Sequence, residues 1–194
     1  ISNALTEGFR VIAAYNTHKI RIENSYKSLR LDVADLKAVQ RICTVYQPDI
    51  VIHCAGIAHQ SLFRRVPEKR YIDVNAKGAE NVARACGECN PSVHFILISS
   101  VSVYGEDHDG FVSETETCNP SNGYAKSKLS AEKKLTKLYA SKEIGKLDIL
   151  RLSPVYTAQW TLNVEKRIMD PLRLLYLRFG SGRRAVEFLR PGGL

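Results

Sequence analysis

The stretch DIVIHCAG at positions 49–56 decides the fold class of this 194-residue chain. It is an almost continuous apolar run that ends in small residues. Such runs are typical of strands buried on both faces of a parallel sheet. The run therefore predicts a parallel strand whose carboxyl end carries only small side chains.

Apolar runs of similar length recur on both sides of this strand. They are FRVIAAY (9–15), KSLRLDV (27–33), VHFILISS (93–100) and KLDILRL (146–152). Apolar residues at helical spacing predict helices over 34–46, around 79–86 and over 124–142. Apolar strands that alternate with amphipathic helices predict an α/β fold with a doubly wound parallel sheet.

The carboxyl ends of the strands are where we expect the functional residues, because ligands of doubly wound sheets bind there. The residues at those ends are Tyr15, Asp32, Val33, Ala55, Gly56, Ser99, Ser100, Ser153 and Pro154.

The composition, with 44% hydrophobic and 25% charged residues, is that of an ordinary globular protein. No apolar run approaches the ~18 residues that cross a bilayer, and no signal segment opens the sequence. We therefore expect a cytoplasmic protein without membrane contact. The net charge of +8 is spread along the chain without a nucleic-acid-binding motif, so we expect an anionic small ligand rather than nucleic acid.

Five cysteines without an export signal predict reduced thiols. Cys86 and Cys89, in CGEC, have the spacing of a metal or redox pair. A zinc site needs four ligands, and no second pair is present, so we predict no metal site. We interpret these cysteines as packing and surface thiols.

The stretch SNGYAKSKLSAEK (121–133) places Tyr124 and Lys128 four residues apart on one face of a helix. The ammonium group is expected to lower the pKa of the phenol, so that Tyr124 can donate and accept protons near neutral pH. Ser100 could hydrogen-bond the same substrate oxygen. Three such groups around one carbinol or carbonyl would support hydride transfer, although a Tyr and Lys pair at this spacing is also common on ordinary helices.

Six segments together carry a family resemblance. They are LDVAD (31–35), PDIVIHCAG (48–56), VNAKGAENV (74–82), ILISSVSVYG (96–105), SNGYAKSKLSAE (121–132) and LRLSPVY (150–156). In this order they resemble the extended short-chain dehydrogenase/reductase family, the NAD-dependent epimerases and dehydratases of nucleotide sugars. The resemblance implies that Tyr124 is the catalytic acid and base, that Lys128 lowers its pKa and binds the nicotinamide ribose, and that Ser100 holds the reacting oxygen.

The cofactor contacts that the resemblance implies are Asp32 and Val33 at the adenine, Ala55 and Gly56 in the cleft, Asn75 beneath the active-site helix, and Pro154 and Val155 at the nicotinamide. Asp32 could instead cap the following helix, and Asn75 could simply satisfy backbone groups. The expected cofactor is NAD. NADP stays open, because Tyr15 stands where the family often has an acidic residue.

The sequence departs from the family pattern at both ends. It opens at ISNALTEGFRVIAAY, which corresponds to the end of the first helix and the second strand, so the first strand and the Gly-rich phosphate-binding turn are not in this sequence. The resemblance thus implies an incomplete Rossmann-like sheet with weakened dinucleotide affinity. We expect a partial dinucleotide-binding domain over 1–156 and the start of a substrate-binding lobe over 157–194.

The function that the resemblance implies is a nucleotide-sugar 4-epimerase of surface polysaccharide biosynthesis, working as a homodimer. The 4,6-dehydratases carry an Asp-Glu pair directly after the catalytic hydroxyl, where this chain has Val101 and Ser102. Two alternatives stay open: a 4-keto nucleotide-sugar reductase with the same Ser-Tyr-Lys triad, and a non-catalytic binding protein.

Overall fold

The computed structural model of the chain describes residues 7–17, 27–58, 66–105 and 112–153. The elements in chain order are β1 (Ile12–Tyr15), β2 (Lys27–Arg30), α1 (Leu36–Tyr46), β3 (Ile50–His53), α2 (Glu68–Tyr71), a π-helical stretch (Ile72–Lys77), α3 (Gly78–Cys89), β4 (His94–Ser100), a 3-10 turn (Val101–Tyr104), α4 (Gly123–Ala140) and β5 (Lys146–Leu152). Pro154, Val155 and the expected second lobe over 157–194 lie outside the described residues.

The strands form two parallel sheets. One contains β1 and β2, and the other has the order β3-β4-β5. Every strand pair is parallel, which confirms the predicted α/β class. No hydrogen-bonded ladder joins the two sheets within the described ranges.

The core lies between the β3-β4-β5 sheet and the helices α1, α3 and α4. In β4 every second side chain is buried, and Phe95 and Leu97 point into this core because alternate residues of a strand face the same side. The apolar stripe of α3 predicted from the sequence is buried against them. The opposite face of the sheet carries Ile50, Ile52 and Leu150, which are 46%, 63% and 44% exposed. The described helices therefore cover one face of the sheet.

Local chemistry sets the ends of the elements. The predicted helix over 34–46 begins only at Leu36, because the Asp35 side chain caps it by accepting a hydrogen bond from the Ala38 N–H at 3.1 Å. It ends before Gln47, which has a left-handed backbone (φ 42°). The strand predicted over 49–56 ends at His53, so that residues 54–58 form a loop beyond the carboxyl edge of the sheet.

In the described part of the chain, every helix is too short or too polar to span a lipid bilayer.

Candidate active site

Ser100 is the last residue of β4, and its hydroxyl caps the 3-10 turn that follows. Its Oγ accepts hydrogen bonds from the Ser102 backbone N–H at 3.3 Å and from the Ser102 hydroxyl at 2.9 Å. Because these donors occupy the oxygen lone pairs, the Ser100 proton points away from the turn. The strand end therefore presents an oriented O–H donor.

Tyr124 lies in the first turn of α4, next to this donor. The helix begins there because the Asn122 Oδ1 accepts a hydrogen bond from the Ala125 N–H at 2.9 Å. The half-buried Tyr124 ring packs edge-on against Tyr71, with 6.4 Å between the ring centres. The Ser100 hydroxyl lies close enough to the phenolic oxygen to act on its pKa. The structure thus brings together the two hydroxyls that the sequence had placed on separate elements.

The pKa of Tyr124 is raised above its ordinary value by burial, and the Ser100 hydroxyl opposes this shift. Lys128 Nζ lies 6.0 Å from the centre of the Tyr124 ring. The sequence predicted a lowered pKa, and this direction is wrong for the structure without a ligand. The reason is that removing the phenol from water disfavours the phenolate, and the ammonium group is too far away to reverse that effect.

Lys128 is 7% exposed and lies beneath the site. Its Nζ donates a hydrogen bond to the Ile98 carbonyl of β4 at 2.8 Å, which fixes the side chain against the sheet. Burial lowers the pKa of Lys128, while Cys54 and Glu132 act in the opposite direction. Because nearby groups offset only part of the cost of burying this ammonium group, the site favours binding of a polar or negatively charged ligand.

Asn75, in the π-helical stretch, ties the loop after β3 to α4. Its Oδ1 accepts from the Ile57 N–H at 2.7 Å, and its Nδ2 donates to the Ile57 carbonyl at 3.0 Å and to the Ser127 hydroxyl at 2.9 Å. Ser127 in turn donates to the Tyr124 carbonyl at 2.7 Å. Asn75 is 2% exposed, so these hydrogen bonds tie the loop to α4 from within the fold.

Gly56 lies in this loop, directly over Lys128 and Asn75. A Cβ atom at Gly56 would lie 3.1 Å from Asn75 Oδ1 and 3.6 Å from Lys128 Nζ. Gly56 is exposed and Ala55 is half-buried, so a side chain at position 56 would crowd Asn75 and the ammonium group. This geometry gives a physical reason for small residues at the end of the DIVIHCAG stretch.

Asp32 and Val33 lie at the carboxyl end of β2. The Asp32 Oδ1 accepts a hydrogen bond from the Ala34 N–H at 2.9 Å, and the cap of α1 is Asp35 instead. Asp32 is exposed, so its second carboxylate oxygen faces solvent. Val33 packs closely on Gly78, where an added Cβ would lie 2.6 Å from the valine side chain. The adenine contacts implied for both residues stay predictions.

A buried ionic network that the sequence analysis missed lies behind Ser100. Glu132 accepts a hydrogen bond from the Ser99 hydroxyl and pairs with Arg151, whose Nη2 lies 2.7 Å from Glu132 Oε2. Arg151 Nη1 also donates to the Tyr104 hydroxyl at 2.7 Å and to the Glu114 carbonyl at 3.2 Å. The spacing of Glu132, four residues after Lys128, was a usable sequence signal. Nothing local marked Arg151 as its partner.

Comparisons with known proteins identify the family of the chain. The sequence profile of the NAD dependent epimerase/dehydratase family matches residues 1–189. Over 118 residues the chain is 33% identical to dTDP-D-glucose 4,6-dehydratase of Mus musculus, and this match covers 60% of the chain and 32% of the relative.

Two solved structures illustrate the likeness of fold. UDP-glucuronic acid 4-epimerase from Bacillus cereus, in complex with NAD, has a TM-score of 0.58 and 28% identity over 69% of this chain and 41% of its own. UDP-glucose 4-epimerase from Brucella ovis, also with NAD, has a TM-score of 0.69 and 22% identity over 79% of this chain and 47% of its own.

The chain thus spans about a third of the first curated relatives that it matches and about half of the similar solved chains. The family match covers nearly all of its length, including the segments that carry Ser100, Tyr124 and Lys128. The chain belongs to the NAD-dependent epimerase/dehydratase family of enzymes.

Proposed function

We propose that this chain carries the catalytic groups of an NAD(P)-dependent nucleotide-sugar 4-epimerase. The observation that supports this most directly is that the Ser100 and Tyr124 hydroxyls lie close enough to interact, with Lys128 buried beside them. The solved structures that resemble this one include 4-epimerases of UDP-glucose and UDP-glucuronic acid. The proposed substrate is a nucleotide sugar with a hydroxyl at the reacting carbon.

The proposed cofactor is NAD, with NADP as the alternative. The residues present fit the nicotinamide half, because Gly56 leaves space that a Cβ atom would fill and Lys128 offers an ammonium group beneath it. Ala55 would line the same cleft, while Asp32 and Val33 would meet the adenine end. Pro154 and Val155 are proposed at the nicotinamide from the resemblance. The bound cofactor would accept hydride from the sugar carbon and return it.

The protein groups would handle the proton. Tyr124 would take the proton of the sugar 4-hydroxyl as the carbon is oxidised. It would return that proton after the 4-keto sugar has rotated to present its other face. Ser100 would donate its oriented O–H to the same oxygen and stabilise the charge that develops there. Lys128 would hold the nicotinamide ribose, as the resemblance implies. The Ser100 hydroxyl would oppose the burial that raises the pKa of Tyr124.

A 4-keto nucleotide-sugar reductase would use the same three groups for reduction in one direction. Incubation with NAD(P)H and a 4-keto nucleotide sugar separates the two activities, since a reductase consumes the cofactor and an epimerase does not. The residues after Ser100 argue against a 4,6-dehydratase. Val101 and Ser102 occupy the 3-10 turn where those enzymes carry an acid pair, although curated dehydratases are among the relatives.

The decisive experiment replaces Tyr124 with Phe in the full-length protein. If Tyr124 is the acid and base, epimerisation should fall by at least about 100-fold while nucleotide-sugar binding is retained. Tyr139→Phe is the matched control, because Tyr139 lies on the same helix and is 49% exposed. Turnover that persists in Tyr124→Phe would refute the triad. Absence of turnover in the wild type with every nucleotide sugar would favour the non-catalytic binding protein.

The proposed assembly is a homodimer. Sedimentation equilibrium of the full-length protein measures it directly, and a monomer at micromolar concentration would contradict it.

A further inference from the structure

Two buried thiols face each other across the contact between α1 and α3. The sulfur atoms of Cys43 and Cys86 lie 3.0 Å apart, and the side chains are 4% and 1% exposed. A disulfide bond is about 2.05 Å long. Small side-chain rotations would therefore bring the two sulfurs to bonding distance, although the residues lie 43 positions apart in the sequence.

A third thiol connects this pair to the surface. Cys89 is the last residue of α3, is half-buried, and lies 3.7 Å from the hydroxyl of Thr44, the neighbour of Cys43 on α1. It completes the CGEC motif with Cys86, and the backbone leaves the helix immediately after it. Cys43, Cys86 and Cys89 together are called the thiol cluster below.

The two buried thiols are not equivalent. The contact with the Cys86 S–H lowers the pKa of Cys43, and the same contact raises the pKa of Cys86. Cys43 is therefore the first of the pair to become a thiolate, which is the nucleophilic form in disulfide exchange.

We propose that the thiol cluster is a redox modification site, at which a low-molecular-weight disulfide converts Cys43 and Cys86 into an intrachain disulfide by way of Cys89. The geometry supports this assignment over two inert packing thiols, because a half-buried entry thiol (Cys89), a buried relay thiol (Cys86) and a buried terminal thiol (Cys43) are brought together at the contact between α1 and α3.

The reaction is a sequence of three thiol–disulfide exchanges. The Cys89 thiolate attacks the disulfide reagent, forms a mixed disulfide and releases one thiolate of the reagent. Cys86 then gives its proton to the neighbouring Cys43 thiolate, attacks the Cys89 sulfur and releases the second reagent thiolate. Finally Cys43 loses this proton to solvent and attacks the Cys86 sulfur, and Cys89 leaves as a thiolate. Two protein thiols lose two protons and two electrons, and one disulfide molecule becomes two thiols.

The product would connect the helix α1 to α3. The closed loop contains β3 and the loop that carries Gly56, and α3 continues directly from the π-helical stretch that holds Asn75. Closing this loop restricts the unfolded chain, so the oxidised form should be the more stable one.

The test treats the purified chain with glutathione disulfide, blocks remaining thiols, and determines the intact mass and the peptide map. We expect two of the five thiols to be lost, a cross-linked peptide pair joining Cys43 to Cys86, and a Tm raised by roughly 5 °C or more. Cys118→Ser is the matched control, since Cys118 lies outside the thiol cluster, and it should give the same cross-link.

Two variants test the order of the steps. Cys43→Ser should stop the reaction at a Cys86–Cys89 bond or at a glutathione adduct on Cys89. Cys89→Ser should form the Cys43–Cys86 bond roughly tenfold more slowly or worse. If all five thiols of the wild type remain after treatment, or if glutathione is attached only to Cys89, then Cys43 and Cys86 are an inert packing pair. An unchanged rate in Cys89→Ser would refute the relay.

Discussion

Arg151 and Glu132 form a buried ion pair directly behind the candidate catalytic serine, with 2.7 Å between Nη2 and Oε2. The Glu132 side chain is only 5% exposed, and the Arg151 side chain is 23% exposed. The carboxylate also accepts the Ser99 hydroxyl, and the guanidinium also holds Tyr104. The pair therefore connects the carboxyl end of β4, the 3-10 turn and β5 in one polar network.

Arg151→Met should destabilise the fold by about 3–5 kcal/mol, because it leaves a buried carboxylate without its partner. Chemical denaturation measures this loss. The control is Lys134→Met, which breaks the more exposed pair with Glu80 and should cost roughly 0–1 kcal/mol. The double variant Glu132→Gln with Arg151→Met should recover part of the loss. Equal losses in Arg151→Met and Lys134→Met would contradict a buried network.

Asn75→Ala should cost about 2–4 kcal/mol of folding free energy, because the Ile57 backbone groups and the Ser127 hydroxyl lose their partner. The matched control is Asn81→Ala, which removes a single hydrogen bond of 3.0 Å to the Val33 carbonyl and should cost about 1 kcal/mol. Denaturant midpoints of both variants compare the two sites. Similar midpoints would mean that Asn75 does not anchor the loop.

Gly56→Val should weaken NAD binding in the full-length protein. The new side chain would crowd Lys128 Nζ, and its Cβ would lie 3.1 Å from Asn75 Oδ1, so thermal stability should fall as well. Ala58→Val, two residues further along the same exposed loop, is the control and should keep the wild-type affinity. Isothermal titration calorimetry measures both. If Gly56→Val bound NAD with unchanged affinity, the cofactor would not bind next to Gly56.

His53 should make the fold sensitive to acid. Burial, assisted by the charge of Lys128, lowers the pKa of His53 from 6.5 to about 4. Below pH 6.5 His53 is protonated in the unfolded chain, whereas in the folded chain it stays neutral down to about pH 4. Up to about 3 kcal/mol of folding stability is therefore lost as the pH falls through this window. His53→Leu should flatten this part of the stability curve. A curve with the same slope in both proteins would disprove the assignment.

The sequence was most successful where the structure depends on local pattern. The strand predicted over 146–152 has those bounds in the structure. The apolar stripe of α3 is buried at Ala79, Val82, Ala83 and Cys86, together with Gly78, Ala85 and Gly87. The ends of other elements differed for identifiable reasons. Asp35 caps α1, so the helix begins at Leu36 instead of residue 34. β3 ends at His53, before the loop that carries Gly56.

The sequence by itself determined the parallel α/β class and the placement of Tyr124 and Lys128 on one helical face, because periodicity and spacing are properties of neighbouring residues. Only the tertiary structure decided that Ser100 meets Tyr124, that Arg151 neutralises Glu132 and that Cys43 touches Cys86. It also decided the direction of the Tyr124 pKa. Contacts between distant segments and the loss of water around a side chain arise only when the elements pack, so no local pattern encodes them.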